Sequence, residues 1–268
     1  MQLYAFEDNR LIQASVALRK KNYRCPECFA RVRVRGGPHR QYHFFHLRTE
    51  GNCRQREKSA LHLELQMLLC ALLPEAQMER PFPTIGRIAD VACAPYKQIF
   101  EIQCSSLTLE EAELRTQEYE SLGWRIIWIL SDDRFNKKKM SPAETFLRKR
   151  LCYFTNSKKI IYDQFEICLG SLRLFKGPML SVRIGQLKSL PTHSLKDGPS
   201  LLSHRINQGF YLEGDFVDRL LKNPSSVERL EKFEERFFTN RSRKLPWKIS
   251  FKKRYLSFFH FLLERLCP

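Results

Sequence analysis

The hydrophobic and polar positions of the chain divide it into three segments. The first, residues 1–57, shows strand-like alternation of apolar and polar side chains at residues 3–6 and again at residues 31–35. A Gly-Gly-Pro turn follows the second stretch at residues 36–38. Because successive side chains of a strand point to opposite faces, this segment predicts a small β structure.

The second segment, residues 58–150, opens with a helix. Leucines recur at helical spacing over residues 58–73, until Pro74 ends the pattern. Residues 87–93 and 97–104 then predict a β-hairpin that turns at Pro95 and Tyr96. If this two-residue turn is correct, residue 90 faces residue 101 across the hairpin.

A second helix and a buried strand complete this segment. Thr108 and Glu111 have the spacing of a capping box for a helix that runs to Leu122, and Gly123 ends it. Residues 124–130 are apolar enough for a buried strand. The order is α, β, β, α, β, with an additional strand expected at residues 78–82.

The third segment, residues 151–268, follows a helix that Ser141 caps with proline in its first turn. Mixed strands are expected over residues 159–187 and helices over 212–237 and 251–266. The stretch 191–203, rich in Ser, Pro and Gly, predicts a loop. Together the three segments predict a mixed α/β fold.

Composition narrows the class of protein. The chain has 268 residues, of which 43% are hydrophobic, which suffices for a packed core. We see no secretory signal, and the apolar run 255–263 is too short to span a membrane. The nine cysteines are odd in number and scattered, which favours reduced thiols and a cytoplasmic location over a disulfide framework.

The charge is unevenly distributed along the chain. The formal net charge is +17, which favours a polyanionic partner. Residues 59–133 hold 12 acidic and 5 basic side chains, whereas residues 134–268 hold 12 and 28. An acidic middle between basic ends suits a cation site that acts on a polyphosphate, although an acidic helix beside unrelated solvated charge gives the same pattern.

A cluster of metal-ligating residue types lies in the first segment. Its spacing is C-x2-C-x14-H-x2-H-x6-C, and tetrahedral zinc needs four of its five ligands. The sequence leaves the choice of histidine open, and we favour His43, with His46 next to the ligand set. The five candidates for a structural Zn²⁺ site are Cys25, Cys28, His43, His46 and Cys53.

Two acidic side chains lie inside the apolar strands of the predicted hairpin. With the expected register, Asp90 directly faces Glu101, so that their Cβ atoms lie ~4.5–5.5 Å apart. Gln103 shares the face of Glu101. A bound Mg²⁺ or Mn²⁺ would compensate the burial of these charges, whereas a half-exposed hairpin would leave them in solvent.

The motifs above resemble, in order, those of the competence protein CoiA family. They are the paired cysteines with the later His-Phe-Phe-His, Ser59-Ala60-Leu61-His62, Ile88-Ala89-Asp90-Val91, Glu101-Ile102-Gln103-Cys104-Ser105, Arg115-x3-Tyr119 and Ile127-Trp128-Ile129-Leu130. The resemblance implies a core similar to restriction endonucleases and PD-(D/E)xK nucleases, of order α-β-β-β-α-β. It also implies a link to recombination of incoming DNA during natural transformation.

The resemblance assigns roles to individual residues. Asp90 and Glu101 become metal ligands, and Gln103 takes the place of the usual lysine, so that an uncharged amide stands where a positive charge is common. The acidic residue of the first helix is missing from its expected places. His62 matches the family and becomes a metal ligand or a proton-handling group, while a packed, hydrogen-bonded histidine remains the alternative.

Several side chains are candidates for contact with nucleic acid. Arg115 and Tyr119 lie four residues apart on one helical face, where they could contact a phosphate and a base. Arg31, Arg33 and Arg35 share one face of a strand. Residues 241–254 carry seven Lys/Arg and no acid, with aromatic residues interleaved.

Two functions from different classes fit these observations best. The first is a divalent-metal-dependent deoxyribonuclease of competence and recombination, acting on DNA and favouring single strands, with recombination proteins as partners and no small-molecule cofactor. The second is a non-catalytic recombination mediator that binds DNA with a degenerate nuclease fold. A third, a zinc-ribbon RNA-binding module, predicts that residues 1–57 bind RNA unaided.

Overall fold

In a computed structural model of the protein, the residues described are 2–8, 10–26, 28–38, 40–48, 53, 59–169, 171–191, 203–223, 225, 228 and 232. The chain divides into two compact units, residues 1–104 and 105–268. The strands are β1 Tyr4–Glu7, β2 Arg10–Gln13, β3 Tyr23–Arg24, β4 Arg31–Gly37, β5 Arg40–His46, β6 Ala76–Phe82, β7 Arg87–Cys93, β8 Gln98–Gln103, β9 Arg125–Ser131, β10 Cys152–Thr155, β11 Ile161–Leu169, β12 Leu172–Ser181, β13 Lys188–Ser189 and β14 Phe210–Tyr211. The helices are α1 Ala60–Leu72, α2 Leu109–Ser121, α3 Pro142–Leu147, α4 Ser203–Ile206 and α5 Phe216–Lys222.

The first unit begins with a five-stranded antiparallel sheet of order β2-β1-β3-β4-β5. Its interior is formed by small and aromatic side chains such as Ala5, Tyr23 and Phe44, together with the valines of β4. Val32 and Val34 are buried, and the three arginines that alternate with them are more exposed, so the predicted alternation is confirmed. Strand β1 falls on the alternation predicted at residues 3–6, whereas β2 and β3 are too short for a strong periodic signal.

The rest of the first unit is α1 packed on the antiparallel strands β6, β7 and β8. Ser59 caps α1 by accepting a hydrogen bond from the backbone N–H of His62. The predicted helix and the additional strand β6 are therefore confirmed. In the hairpin, Cys93 pairs with Gln98 and Val91 with Phe100, which is the register that the turn at residues 95–96 predicts.

One buried carboxylate links the N-terminal sheet to β6. The Leu3 backbone N–H donates to Glu79 Oε2 at 3.1 Å, and the Glu79 side chain is buried. Glu79 lies between two residues that pair with β7, and its φ of 50° is left-handed, which is uncommon for a residue with a side chain. The first strand of the chain is thus tied to the strand beside the predicted hairpin.

The second unit contains a mixed sheet. Strand β9 pairs with β10 in parallel, and β10–β11 and β11–β12 are antiparallel. Helix α2 is capped by Thr108, and Gly123 follows it at a left-handed φ of 74°, as predicted. Trp128 and its isoleucine neighbours in β9 are fully buried. The predicted mixed α/β class is confirmed.

A buried polar cluster joins the last described helices to this sheet. Arg205 donates to Asp163 Oδ2 at 2.6 Å, and Tyr153 donates to Asp215 Oδ2 at 2.9 Å. Asp215 in turn caps α5 by accepting from the N–H of Asp218. The loop predicted at 191–203 lies largely outside the described residues. Of the helix predicted at 212–237, α5 covers Phe216–Lys222, and most residues after 223 lie outside the described ranges.

The basic run 241–254 and the helix predicted at 251–266 lie outside the described residues. Among the helices that are described, none combines the length and the apolar character needed to cross a membrane.

Candidate nuclease and metal sites

Helix α1 brings His62 onto the hairpin. Its Nε2 lies 2.9 Å from Asp90 Oδ1, and both side chains are less than a tenth exposed. The Ser59 cap fixes the first turn of the helix, so the position of the imidazole follows from the N-terminus of α1. His62 is a packed residue that is hydrogen-bonded to the acidic residue expected at the site.

The carboxylate of Asp90 is held from three directions. Besides the His62 contact, Asp90 Oδ2 accepts the backbone N–H of Ile102 at 2.9 Å. Gln66 Nε2 donates to the Asp90 backbone carbonyl at 2.9 Å and lies 3.5 Å from Asp90 Oδ1. These contacts fix the side chain relative to both α1 and β8, which is the preorganisation that a ligand residue needs.

The other predicted residues of the hairpin are also buried. Glu101 is 1% exposed and Gln103 is 7% exposed, both on β8. The paired residues of the hairpin end at Val91 with Phe100, and Asp90 and Glu101 are the next residues along the two strands. An ionised carboxylate in such surroundings is costly unless hydrogen bonds or a cation compensate it.

The chemistry of this oxygen set suits a hard cation. Carboxylate and amide oxygens are the ligands that Mg²⁺ and Mn²⁺ prefer, and Mg²⁺ is commonly held by one or two carboxylates while keeping several waters. Within the described ranges, Asp90 and Glu101 do not belong to a group of three or more histidine, cysteine or carboxylate ligands that converges within 4.8 Å. Asp90 and Glu101 are the buried carboxylates of this hairpin that could supply such oxygens.

Gln66 is a residue of this site that the sequence analysis missed. It is fully buried, and its Oε1 has no hydrogen-bond partner among the described residues. The orientation of the amide is fixed, because both Asp90 atoms that it faces are acceptors and require its nitrogen. The sequence did carry one signal for this residue. Gln66 follows His62 by four residues and is therefore a polar side chain on the apolar face of α1.

A second site lies in the N-terminal sheet. The ligand atoms of Cys25, Cys28, His46 and Cys53 all lie within 4.8 Å of one another and can hold a metal ion such as zinc. Within the cluster, Cys25 Sγ lies 3.6 Å from Cys53 Sγ, and Cys28 Sγ lies 3.2 Å from His46 Nε2. Tetrahedral zinc with Zn–S bonds of about 2.3 Å separates its sulfurs by about 3.8 Å, so the cluster fits.

The histidine of this cluster is His46, and the preference for His43 is wrong. The two residues are three apart on β5, so their side chains leave the strand on opposite faces. His46 pairs with Val32, on the face that meets the cysteines. His43 pairs with Arg35, and its Nε2 accepts a hydrogen bond from Arg35 Nε at 2.8 Å.

Cysteines elsewhere in the chain have different chemistry. Burial raises the pKa of Cys70 to about 11, and burial likewise raises the pKa of Cys152 and of Cys168 to about 12. These groups are protonated thiols near neutral pH, whereas the thiolate is the metal ligand and the nucleophile. None of these three cysteines belongs to the N-terminal cluster, whose ligand atoms come from Cys25, Cys28, His46 and Cys53.

Comparison with protein families places these sites in a known context. Residues 58–171 match the family model described as Competence protein CoiA, nuclease-like domain. This part of the chain, which is less than half of it, is similar to a CoiA nuclease-like domain. Residues 4–60 match a second family model, described as Domain of unknown function (DUF7830). Comparisons with curated proteins and with solved structures gave no match.

The CoiA nuclease-like domain confirms the resemblance seen in the sequence. It begins just before α1 and ends after β11, and it contains His62, Asp90, Glu101 and Gln103. Its element order from α1 to β9 is α-β-β-β-α-β, as predicted. The metal-binding cluster precedes it, in the part of the chain that matches the second family model.

Two residues of α2, within the CoiA nuclease-like domain, were expected to contact nucleic acid. Tyr119 is fully buried in the second unit, so the expected contact with a base does not fit its position. Arg115 is half-buried; its Nη2 lies 2.8 Å from Glu111 Oε1, and its guanidinium packs over the Trp128 ring at 5.8 Å. A phosphate would have to compete with Glu111 for this arginine.

The arginines of β4 are more accessible. Arg31 and Arg35 are exposed, and Arg33 is half-buried with its Nε donating to Asn22 at 2.7 Å. The Arg35 guanidinium lies 4.9 Å from the centre of the Phe45 ring. The strand thus presents three positive charges on one face, two of them oriented by neighbouring side chains.

Proposed function

We propose that the protein is a DNA-processing protein of competence and recombination whose CoiA nuclease-like domain hydrolyses phosphodiester bonds of incoming or recombining DNA. The observation that carries the proposal is the hairpin of β7 and β8. It brings two buried carboxylates, Asp90 and Glu101, to neighbouring strands within the matched domain. Two buried carboxylates can bind a divalent cation, whose charge compensates theirs.

In this proposal Asp90 and Glu101 hold Mg²⁺ or Mn²⁺. Such a cation supplies charge neutralisation at the phosphodiester and lowers the pKa of a bound water. The chain itself orients Asp90 through His62, Gln66 and the Ile102 N–H. Gln103 positions a water through its amide, without the positive charge that a lysine would add.

In this proposal the N-terminal segment has a structural role. Cys25, Cys28, His46 and Cys53 bind structural Zn²⁺, since four ligands of this type close a tetrahedral site. The free energy of metal binding then contributes to the folding of this small sheet. A reducing compartment such as the cytoplasm suits these thiols, and the described cysteines form no disulfide.

We further propose that the arginine face of β4 contacts the DNA backbone. Arg31, Arg33 and Arg35 would neutralise phosphates in a way that does not depend on base sequence. In the second unit, Arg115 would bind a phosphate of its own by exchanging its Glu111 partner for it. The proposed substrate is single-stranded DNA, and recombination proteins that handle the same strands are the proposed protein partners.

A cleavage assay tests the catalytic proposal. The full chain is incubated with labelled single-stranded and duplex DNA, with Mn²⁺ or with chelator. We expect metal-dependent products that fall at least about 100-fold in Asp90→Asn and in Glu101→Gln, because each loses a charged ligand. Asp133→Asn, which removes an exposed acid, is the matched control. Equal cleavage by all four proteins would reject the enzyme.

A non-catalytic recombination mediator is the second candidate. It is favoured by the hydrogen bonds that already occupy both oxygens of Asp90 and by the uncharged Gln103. This candidate predicts salt-sensitive DNA binding by the wild type, with no metal-dependent products at any Mn²⁺ concentration. Binding that is unchanged in Asp90→Asn, together with absence of cleavage, would support it over the nuclease.

A further inference from the structure

Three consecutive lysines follow the buried strand β9 of the second unit. Lys137, Lys138 and Lys139 are all exposed and form the segment that we call the lysine loop. Within the described part of the chain, none of them has an ion-pair or side-chain hydrogen-bond partner. Arg134, which is also exposed, precedes the loop. With Asp132, Asp133 and Arg134 included, residues 132–139 hold four basic and two acidic side chains and so carry a net charge of +2.

The backbone of the lysine loop is held in place. The Lys138 carbonyl accepts the Arg173 N–H at 2.9 Å, and the Met140 N–H donates to the Ser171 carbonyl at 2.8 Å. Lys139 forms an antiparallel bridge with Leu172 at the start of β12. The loop therefore has a defined shape in spite of its exposed side chains.

Asn136, directly before the loop, is bonded through every polar group. Its N–H donates to Glu144 Oε1 at 2.9 Å, and its carbonyl accepts Arg173 Nη1 at 2.7 Å. Its Nδ2 donates to the Tyr162 hydroxyl at 2.8 Å, while its Oδ1 accepts Arg148 Nη2 at 3.3 Å. Its φ of 62° is a left-handed conformation that asparagine tolerates. Asn136 thus anchors the loop to the interior of the unit.

The acids behind Asn136 are already used. Glu144 pairs with Arg148 at 2.7 Å, and Glu166 pairs with Arg173 at 2.9 Å and also with Arg148. Arg148 and Arg173 are thereby balanced by two carboxylates, while a third acid of the network, Asp132, accepts hydrogen bonds from Asn136 Nδ2 and the Tyr162 hydroxyl.

We infer that the lysine loop is a preformed surface for the phosphate backbone of DNA. This inference rests on the proposed function, because it names a part of the chain that holds the substrate. Consecutive lysines offer point charges without base preference, which suits backbone contact. Because the loop is fixed before binding, little conformational entropy is lost when a strand docks.

The salt dependence of DNA binding tests the inference. Affinity of the full chain for labelled single-stranded DNA is measured at several salt concentrations in the presence of chelator, so that no cleavage occurs. In the triple variant Lys137→Gln, Lys138→Gln, Lys139→Gln, loss of three phosphate contacts should lower the slope of log affinity against log salt by about 2. A second triple variant, Lys97→Gln, Lys149→Gln, Lys158→Gln, removes the same charge from exposed positions elsewhere.

The outcomes separate the inference from the function on which it rests. A loop variant whose slope equals that of the matched control would overturn the inference, although DNA binding by the wild type would leave the proposed function standing. Wild type that binds no DNA at low salt would overturn both. The melting temperatures of both triple variants are compared with that of the wild type. Equal melting temperatures confirm that the substitutions have changed the surface charge alone.

A third variant tests the fixed conformation of the lysine loop separately from its charge. Asn136→Gly keeps the three lysines and can adopt the left-handed φ, but it loses the side-chain bonds to Tyr162 and Arg148. We expect a salt slope like that of the wild type with affinity several-fold weaker, because the loop must be ordered on binding. Unchanged affinity would show that the fixed shape contributes nothing.

Discussion

His62 Nε2 lies 2.9 Å from Asp90 Oδ1, so a helix residue and a strand residue 28 positions apart form one buried pair. This pair affects both the packing of α1 and the surroundings of the Asp90 carboxylate. It fixes α1 on the hairpin, and it limits the directions from which Asp90 can be approached.

Replacing His62 should affect turnover more than DNA binding. In His62→Ala the Asp90 carboxylate loses one of its orienting contacts, and we expect the cleavage rate at saturating DNA to fall about 10-fold or more, with the affinity for DNA within about twofold of wild type. His62→Gln, which can still donate to Asp90, should recover part of the rate. A change confined to DNA affinity would contradict the positioning role.

The two histidines of β5 should differ sharply in their effect on zinc. His46→Ala removes a ligand and should lower zinc content below one equivalent and destabilise the N-terminal sheet. His43→Ala removes the acceptor of Arg35 and should retain zinc. Elemental analysis of both purified variants provides the measurement. Zinc loss in His43→Ala with retention in His46→Ala would reverse the assignment.

Gln66 should stabilise the first unit through Asp90. Gln66→Met keeps the length of the side chain but removes the donor to the Asp90 carbonyl, and we expect a loss of about 1–3 kcal/mol in the free energy of unfolding. Gln77→Met, at an exposed position on β6, is the matched control and should be near neutral. Chemical denaturation measures both. A neutral Gln66→Met would show that its amide contributes little.

The cluster around Asp215 should make stability depend on pH. Burial raises the pKa of Asp215 to about 6 from its ordinary 3.8, even though Arg205 acts in the opposite direction. The folded state therefore binds this proton more tightly than the unfolded chain does. The contribution of the group is fully present below about pH 4 and is lost as pH rises through about 6.

Asp215→Asn tests this sign. The unfolding free energy of wild type relative to Asp215→Asn should fall by on the order of 2 kcal/mol between pH 4 and pH 7, whatever the absolute effect of the substitution. Asp133→Asn should leave the pH dependence as in wild type. A wild type that gains stability relative to Asp215→Asn over the same range would mean that the Arg205 charge outweighs burial.

The hairpin is a part of the fold that could be predicted from the local sequence. Its two-residue turn fixes which residues can pair, and so the register that joins Cys93 to Gln98 and Val91 to Phe100 follows from the sequence alone. Helix ends were equally predictable, because Ser59 and Thr108 carry the side chains that cap a first turn.

Features that depend on packing were not predictable in this way. The spacing of His43 and His46 puts them on opposite faces of a strand, but the face that meets the cysteines is decided by how β3 and β4 pair. Gln66 has no motif of its own; its role arises when α1 packs on the hairpin. The parallel pairing of β9 with β10 joins segments that local pattern cannot connect.

The contact between Leu3 and Glu79 makes the nuclease-like strands dependent on the start of the chain. A fragment cut at the family boundary near residue 58 would keep Glu79 but lose the amide that satisfies it, and would leave a buried carboxylate with one donor fewer. Stripping zinc from the N-terminal sheet should act similarly, since whatever loosens that sheet withdraws Leu3. Attempts to study the matched domain in isolation should therefore begin at the first residue.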